Sequence, residues 1–210
     1  MNSDDSVSLM KLPSPWAGQL LDGLTREEDY KTWPKGSKLS FQINGEPVCH
    51  FVRSGVMTLE RFDDALLMGT VTAPLALGWM SATSSRMILR AKGPCEIATI
   101  PFEQVMALVE QKQLWDLVAK HMLHITNKLF IYNEILTAPT TYDLICYQLI
   151  SLLQEPESTR NSTAAYQYIL DRTRLSRSSV MKMLAELKKG GYIQLEQGKL
   201  VAIHYLPPGF

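Results

Sequence analysis

The chain has 210 residues, 46% of them hydrophobic, and its 21 Lys and Arg balance 21 Asp and Glu. That length allows one large or two small domains with proper cores, while the zero net charge excludes a global basic field around the molecule. Cys49, Cys95 and Cys146 are widely spaced and odd in number. They argue against a disulfide framework and against zinc, which wants paired ligands at short spacing. The first residues hold Asp4 and Asp5 rather than a charged-then-apolar run, and no apolar stretch approaches membrane-spanning length. A cytoplasmic protein without membrane contact is the expectation.

Residues 1 to 12 are polar. Pro15-Trp16 then opens a helix expected to run through about Asp29, with Trp16, Leu20, Leu21 and Leu24 on one side, until Pro34-Lys35-Gly36 breaks it. From Ser37 to about Ile100 the pattern changes to short β-rich runs: Leu39–Ile43, Val48–Arg53, Val56–Phe62, Ala65–Val71, Met87–Ala91 and Glu96–Ile100. Asn44-Gly45, Ser54-Gly55, Asp63-Asp64 and Gly93-Pro94 divide them. Strands at this spacing suggest a small antiparallel β-barrel or jelly roll, interrupted between Pro74 and Arg86 by a loop or short helix.

Phe102 begins a helical region. Trp115, Val118, Met122, Ile125, Leu129, Tyr132 and Leu136 alternate by three and four, which is a coiled-coil seam and predicts the same helix of a second subunit as its partner. A second stripe (Leu114, Leu117, Ile131, Ile135) widens the apolar face, so the helix is expected to touch both its own barrel and its partner, the competing reading being a single long buried helix in a monomer. Ala138-Pro139 makes a hinge, and Asp143 to Gln154 reads as the next helix. Glu155 to Ser162 reads as a polar linker, with Ser162 capping a further helix.

The last third carries the chemistry. Tyr166, Ile169 and Leu170 form a short apolar helix face, and Arg172 to Leu175 is a brief connector. Ser176 is an N-cap for a helix whose Val180, Met183, Leu184 and Leu187 share one side. The other side carries Arg177, Ser178, Lys182 and Lys189, with Glu186 the only acid, and Gly190-Gly191 ends it. Tyr192–Glu196 and Lys199–Ile203 come next as two strands about Gln197-Gly198. Two short helices and a hairpin make a winged helix-turn-helix whose second helix can enter a major groove. From Arg160 to His204 there are eight Lys and Arg against three acids, and local excess of this kind is what phosphate contact needs. An ordinary amphipathic surface helix is the competing reading, but cap, connector, helix, double Gly and hairpin in this order are harder to reach by chance.

An α+β chain of barrel, long dimerisation helix, hinge and C-terminal winged helix-turn-helix resembles the cyclic-AMP receptor protein/FNR superfamily of bacterial regulators. Arg90-Ala-Lys-Gly-Pro-Cys-Glu-Ile-Ala and Leu175-Ser-Arg-Ser-Ser-Val carry the resemblance, which covers the chain from about Trp33. Thr173-Arg-Leu-Ser-Arg-Ser-Ser-Val, Lys188-Lys-Gly-Gly-Tyr-Ile, Gly198-Lys-Leu, His204-Tyr-Leu-Pro, Gln113-Leu-Trp and Tyr142-Asp are similar to an enterobacterial branch that governs resistance to hydrogen peroxide. The resemblance implies four parts: an N-terminal helical segment (1–36), a cyclic-nucleotide-binding-like barrel (37–110), a dimerisation helix (111–137) and a DNA-binding domain (138–210). It implies double-stranded DNA, a second copy and RNA polymerase as partners, and control of oxidative-stress resistance. By position, Arg177, Ser178 and Lys182 would face base edges, Arg being suited to guanine O6 and N7. Arg174, Ser176, Ser179 and Lys199 would meet phosphates. Family members often carry Glu where Ser178 stands.

The sequence departs from the family at the ligand site. Cyclic-AMP binders hold the ribose with a Glu in a Gly-Glu-Leu run, followed by an Arg for the phosphate. Here Pro74-Leu-Ala-Leu-Gly-Trp-Met has no acid, and Arg86 in Ser84-Ser85-Arg86 stands about one place out of register, which on a strand turns a side chain to the other face. Cyclic-nucleotide binding is therefore not expected. No Cys precedes Pro34, so the cysteine cluster of iron–sulfur regulators is missing. Cys49, beside His50 and Arg53, is the best thiol for a sensor but reads better as a buried strand residue. Cys95 and Cys146 read as core. His121 and His124 lack the spacing of a helical metal pair and are placed at the edge of the dimer helix. No phosphate-cradling Gly loop, nucleophile elbow or paired His/acid motif is present, so no enzyme activity, catalytic residue, cofactor or metal is assigned. The alternative is a regulator-derived protein that acts by protein–protein contact, or senses an unknown ligand, without reading DNA.

Overall fold

The computed structural model describes residues 12–79 and 86–207, and these divide into two compact units. One is Leu12–Asn127. The other begins at Lys128 and is described to Pro207.

The first unit opens with α1 (Ala17–Leu24), whose Ala17, Leu20, Leu21 and Leu24 are all buried. The expected helix to Asp29 stops earlier. Thr25 turns the backbone to extended geometry, and its hydroxyl donates to the Leu21 carbonyl at 2.7 Å. After a single 3₁₀ turn over Glu27–Asp29 the chain becomes a strand, β1 (Tyr30–Trp33). Then come β2 (Lys38–Ser40), β3 (Gln42–Ile43), β4 (Glu46–Ser54), β5 (Val56–Arg61), β6 (Leu67–Thr72), β7 (Leu75–Leu77), β8 (Met87–Ala91) and β9 (Cys95–Pro101). One sheet runs β1-β9-β4-β3 with β7 also paired to β4; the other runs β2-β8-β5-β6. Every pairing is antiparallel. The two sheets are compatible with a jelly roll and do not close into a barrel. At the β3–β4 hairpin Asn44 and Gly45 both take positive φ, the pair that fits the twist of two-residue turns.

The alternation along β4 explains the layering. Val48 to Val52 are all buried, so this strand is covered on both faces. Val52 joins Phe41, Met57, Leu89 and Ile97 in a core shared by both sheets. Cys49 and Phe51 point the other way, into a cluster with Leu20 and Leu24 of α1, Val105 and Val109 of α2 (Phe102–Gln111), and Val118. His50 is buried on the same face of β4 as Val52, its ring 5.3 Å from that of Phe41. Its Nε2 lies 2.8 Å from the Ser40 carbonyl, which can only accept, so Nε2 carries the proton and Nδ1 accepts from the Thr99 hydroxyl at 2.9 Å. Loss of solvation holds the imidazole pKa below its usual value, against the opposing Ser40 hydrogen bond.

The long helix α3 (Trp115–Leu136) runs through the division between the units. The second unit continues with α4 (Thr141–Leu153), α5 (Glu157–Ser162), α6 (Ala165–Arg172), α7 (Arg177–Lys189), β10 (Ile193–Glu196) and β11 (Lys199–Ile203). Its core gathers Ile145, Leu149 and Leu152 of α4, Tyr168 and Ile169 of α6, Val180, Leu184 and Leu187 of α7, and Ile193 and Leu200 of the hairpin. Two expectations fail locally. The polar run after Glu155 is a short helix following Pro156, and Ser162 caps nothing, its hydroxyl donating back to the Thr159 carbonyl.

Candidate nucleic-acid interface

Helix α7 is started by one side chain. Ser176 has extended backbone, and its Oγ accepts from the Ser179 amide at 3.1 Å while lying 3.0 Å from Ser178 Oγ and 2.8 Å from Ser179 Oγ. Three adjacent hydroxyls therefore gather at the positive end of a helix, where anions are favoured. Ahead of it, Thr173 is buried and donates to the Ile169 carbonyl at 2.8 Å, which fixes the turn out of α6. The Arg177 guanidinium stands 5.0 Å from the centre of the Tyr166 ring, a cation–π contact that holds the arginine at the edge of the exposed face.

With Val180, Leu184 and Leu187 inward, α7 turns Ser178, Met181, Lys182, Ala185, Lys188 and Lys189 outward. Arg174, Ser176, Arg177 and Ser179 are exposed as well, so six of the seven residues singled out for DNA stand open at this end. Lys199 differs: it is half-buried and lies opposite Glu196 in the hairpin. Met181 is the residue that sequence reasoning passed over. It falls one helical step outside the inward-facing apolar set.

The far end of α7 is closed by a Schellman arrangement. Tyr192 N donates to the Leu187 carbonyl at 3.0 Å, Gly191 N donates to that of Lys188 at 3.1 Å, and Gly191 takes φ 72°. A Cβ on Gly190 would stand 2.4 Å from the Tyr192 ring, so the double glycine both ends the helix and lets the chain fold tightly into β10. Gln197 and Gly198 then have φ 49° and 80°, the geometry of a two-residue hairpin, and the hairpin is the wing.

Comparison with known proteins agrees with this geometry. A family model described as winged helix-turn-helix DNA binding matches residues 141–208. The inhibitor of hydrogen peroxide resistance from Escherichia coli strain K12 is 34% identical over 172 residues, covering 80% of this chain and 82% of that protein. The chain belongs to the inhibitor of hydrogen peroxide resistance family. Its fold is that of the CRP/FNR regulators. A CRP/FNR-family transcriptional regulator from Thermus thermophilus superposes with a TM-score of 0.55 at 16% identity, over 81% of this chain and 91% of its own. The c-di-GMP-responsive global regulator CLP of Xanthomonas campestris gives 0.64 at 18% identity, over 89% and 98%.

Within this family member, the residues expected to form the α3 seam divide between inward and outward positions. Val118 is buried in the core of the first unit, Met122 packs against that core, and Ile131 and Ile135 are buried against α4. Ile125 and Tyr132 are half-buried, and the Leu136 side chain lies outside the described residues. The large apolar side chains that face outward are Trp115 (48% exposed), Leu123 (71%), Leu129 (55%) and Phe130 (67%), with Ala119, Thr126 and Asn133 exposed among them. Trp115 and Leu129 belong to the expected seam, whereas Leu123 and Phe130 lie beside it, on a helix with several apolar stripes at once.

At the ligand loop, Leu75 and Ala76 of β7 are buried, and the Trp79 indole donates to the Ala76 carbonyl at 3.0 Å. Ser84 and Ser85 lie outside the described residues. Arg86 is exposed, 3.9 Å from Asp63. His121 is not at a helix edge but buried, with Nδ1 2.8 Å from Ser14 Oγ and Nε2 2.9 Å from the Ala76 carbonyl. His124 is half-buried, with the Trp16 ring edge-on. All three cysteines are buried, and loss of solvation pushes the Cys49 thiol up to about 12 and that of Cys146 to about 11. Among the described residues no three His, Cys, Asp or Glu come together to hold a metal, and no helix is long and apolar enough to cross a membrane.

Proposed function

We propose that the chain is a homodimeric transcriptional regulator that binds two-fold-symmetric double-stranded DNA through α7 and the wing, and so controls resistance to hydrogen peroxide. The observation that carries this reading is the exposed donor face of α7, capped by Ser176 and backed by a complete apolar core. Arg177, Ser178 and Lys182 are assigned to base edges, and Arg174, Ser176, Ser179 and Lys199 to phosphates. The local excess of basic residues supplies the phosphate attraction that the neutral chain as a whole lacks.

The exposed apolar face of α3 supports dimerisation, because four large apolar side chains on one helix in water want a partner. The seam then runs through Trp115, Leu123, Leu129 and Phe130, with Met122, Ile125 and Tyr132 at its margins and Val118 turned inward. No cyclic nucleotide is assigned as its effector, a reading supported by the lack of an acid on β7 for a ribose and by Phe41, Met57 and Leu89 being buried together in the core of the sheets. RNA polymerase and a cytoplasmic location follow from the regulatory role, and no catalytic step is assigned.

The test is binding of the full-length protein to genomic fragments at several salt concentrations. Enrichment of a two-fold-symmetric site is expected, with Arg177→Ala weakening binding about 5- to 100-fold per half-site. No enrichment from the wild-type dimer overturns the reading and favours action by protein contact.

A further inference from the structure

Ser178, Met181, Lys182 and Ala185 follow one another at i, i+3, i+4 and i+7, and all four are exposed. They form the centre of the outward face of α7, directly opposite Val180, Met183, Leu184 and Leu187. Met181 is 45% exposed and belongs to no apolar cluster of its own unit, whereas Met183, two residues on, packs against the core. The stripe is therefore not uniformly polar. A flexible apolar side chain stands between a hydroxyl and an ammonium, and Ala185 extends the apolar strip by one turn.

A major groove offers one apolar group at the base edges, the C5-methyl of thymine. We propose that Met181 reads a thymine methyl in each half-site, beside the base edge that Lys182 meets. The basic residues around it, Arg177, Lys182, Lys188 and Lys189, provide the complementary charge that brings a duplex to this face. Met suits the role because its unbranched, polarisable side chain adapts to an irregular apolar contact. Ser178, with a short hydroxyl, leaves room for it. The inference rests on the proposed DNA reading and adds which base feature this helix distinguishes.

The experiment starts from duplexes enriched by the full-length protein out of a randomised library. Each thymine is then replaced singly by deoxyuridine, which removes only the methyl. One thymine per half-site is expected to lose about three- to fivefold in affinity on replacement, the factor associated with one buried methyl group, and about nine- to twenty-five-fold when both half-sites are replaced. In Met181→Ala that penalty disappears, and the variant binds the deoxyuridine duplex as the wild type does. Met181→Leu keeps the penalty. Because the side chain is exposed, none of these variants should shift the melting temperature. An enriched site with no thymine whose methyl matters overturns the inference and leaves DNA reading standing. So does a methyl effect that survives in Met181→Ala. No enriched site at all overturns both.

Discussion

Phe130 is 67% exposed on α3, and its truncation separates association from folding. Fully burying a side chain of this size contributes about 1.5–3 kcal/mol. Covering the two-thirds that is open therefore contributes about 1–2 kcal/mol per subunit, or about 2–4 kcal/mol in a two-fold dimer where each change counts twice. Phe130→Ala should raise the dimer dissociation constant about 30- to 1,000-fold, read by sedimentation over a concentration series. Thermal stability of the dissociated chain should barely move, because the ring is already in water. Val118→Ala is the opposing control. Val118 is 6% exposed, inside the core of the first unit, so it should lower folding stability first. A dissociation constant unchanged by Phe130→Ala but raised by Val118→Ala, in a chain that stays folded, would refute the placement of the seam.

Ser176→Ala removes the acceptor for the Ser179 amide and should cost about 1 kcal/mol in urea unfolding, with helix signal in the second unit lost earliest; no change would mean the neighbouring hydroxyls replace the cap. Gly190→Ala places a Cβ against the Tyr192 ring and should destabilise the chain and weaken DNA binding together, which a melting curve and a binding isotherm decide; an unchanged melting temperature would show that the ring swings aside freely. The thiols should be slow toward disulfide reagents and peroxide at about pH 8, all three appearing only on unfolding, since burial raises Cys49 and Cys146 and the thiolate is the reactive form; one thiol oxidised rapidly in the native protein would contradict this. His50 stays neutral in the fold because its pKa is held below the unfolded value. Stability is therefore full above about pH 6.5 and falls as pH drops from there toward the lower folded pKa, because the unfolded chain takes up the proton first. His50→Gln should flatten that slope in urea unfolding measured from neutral to mildly acidic pH.

The difference between what the sequence disclosed and what it hid follows the range of the forces involved. The α7 region was legible because its signals act within five residues: Ser176 reaches Ser179, Gly191 closes onto Lys188, and Gln197-Gly198 turns on its own backbone. Most strands of the first unit were legible for the same reason, being bounded by turn residues. Strands β1 and β7 were not. Tyr30–Trp33 is extended because Tyr30 pairs with Ala98, and Leu75–Leu77 because Leu77 pairs with His50, and neither partner lies nearby in the chain. The outward stripe of α3 was hard to single out for a subtler reason. Apolar residues occupy several stripes of that helix, and periodicity states that a helix is amphipathic without stating which stripe its own unit claims first. Val118 and His121 are claimed by the first unit and Ile131 and Ile135 by α4, and the sequence alone does not show that division. Met181 obeys the same logic in reverse. Once Val180, Leu184 and Leu187 have taken the core of the second unit, an apolar side chain among donors has no internal use, and a groove lined with bases supplies one.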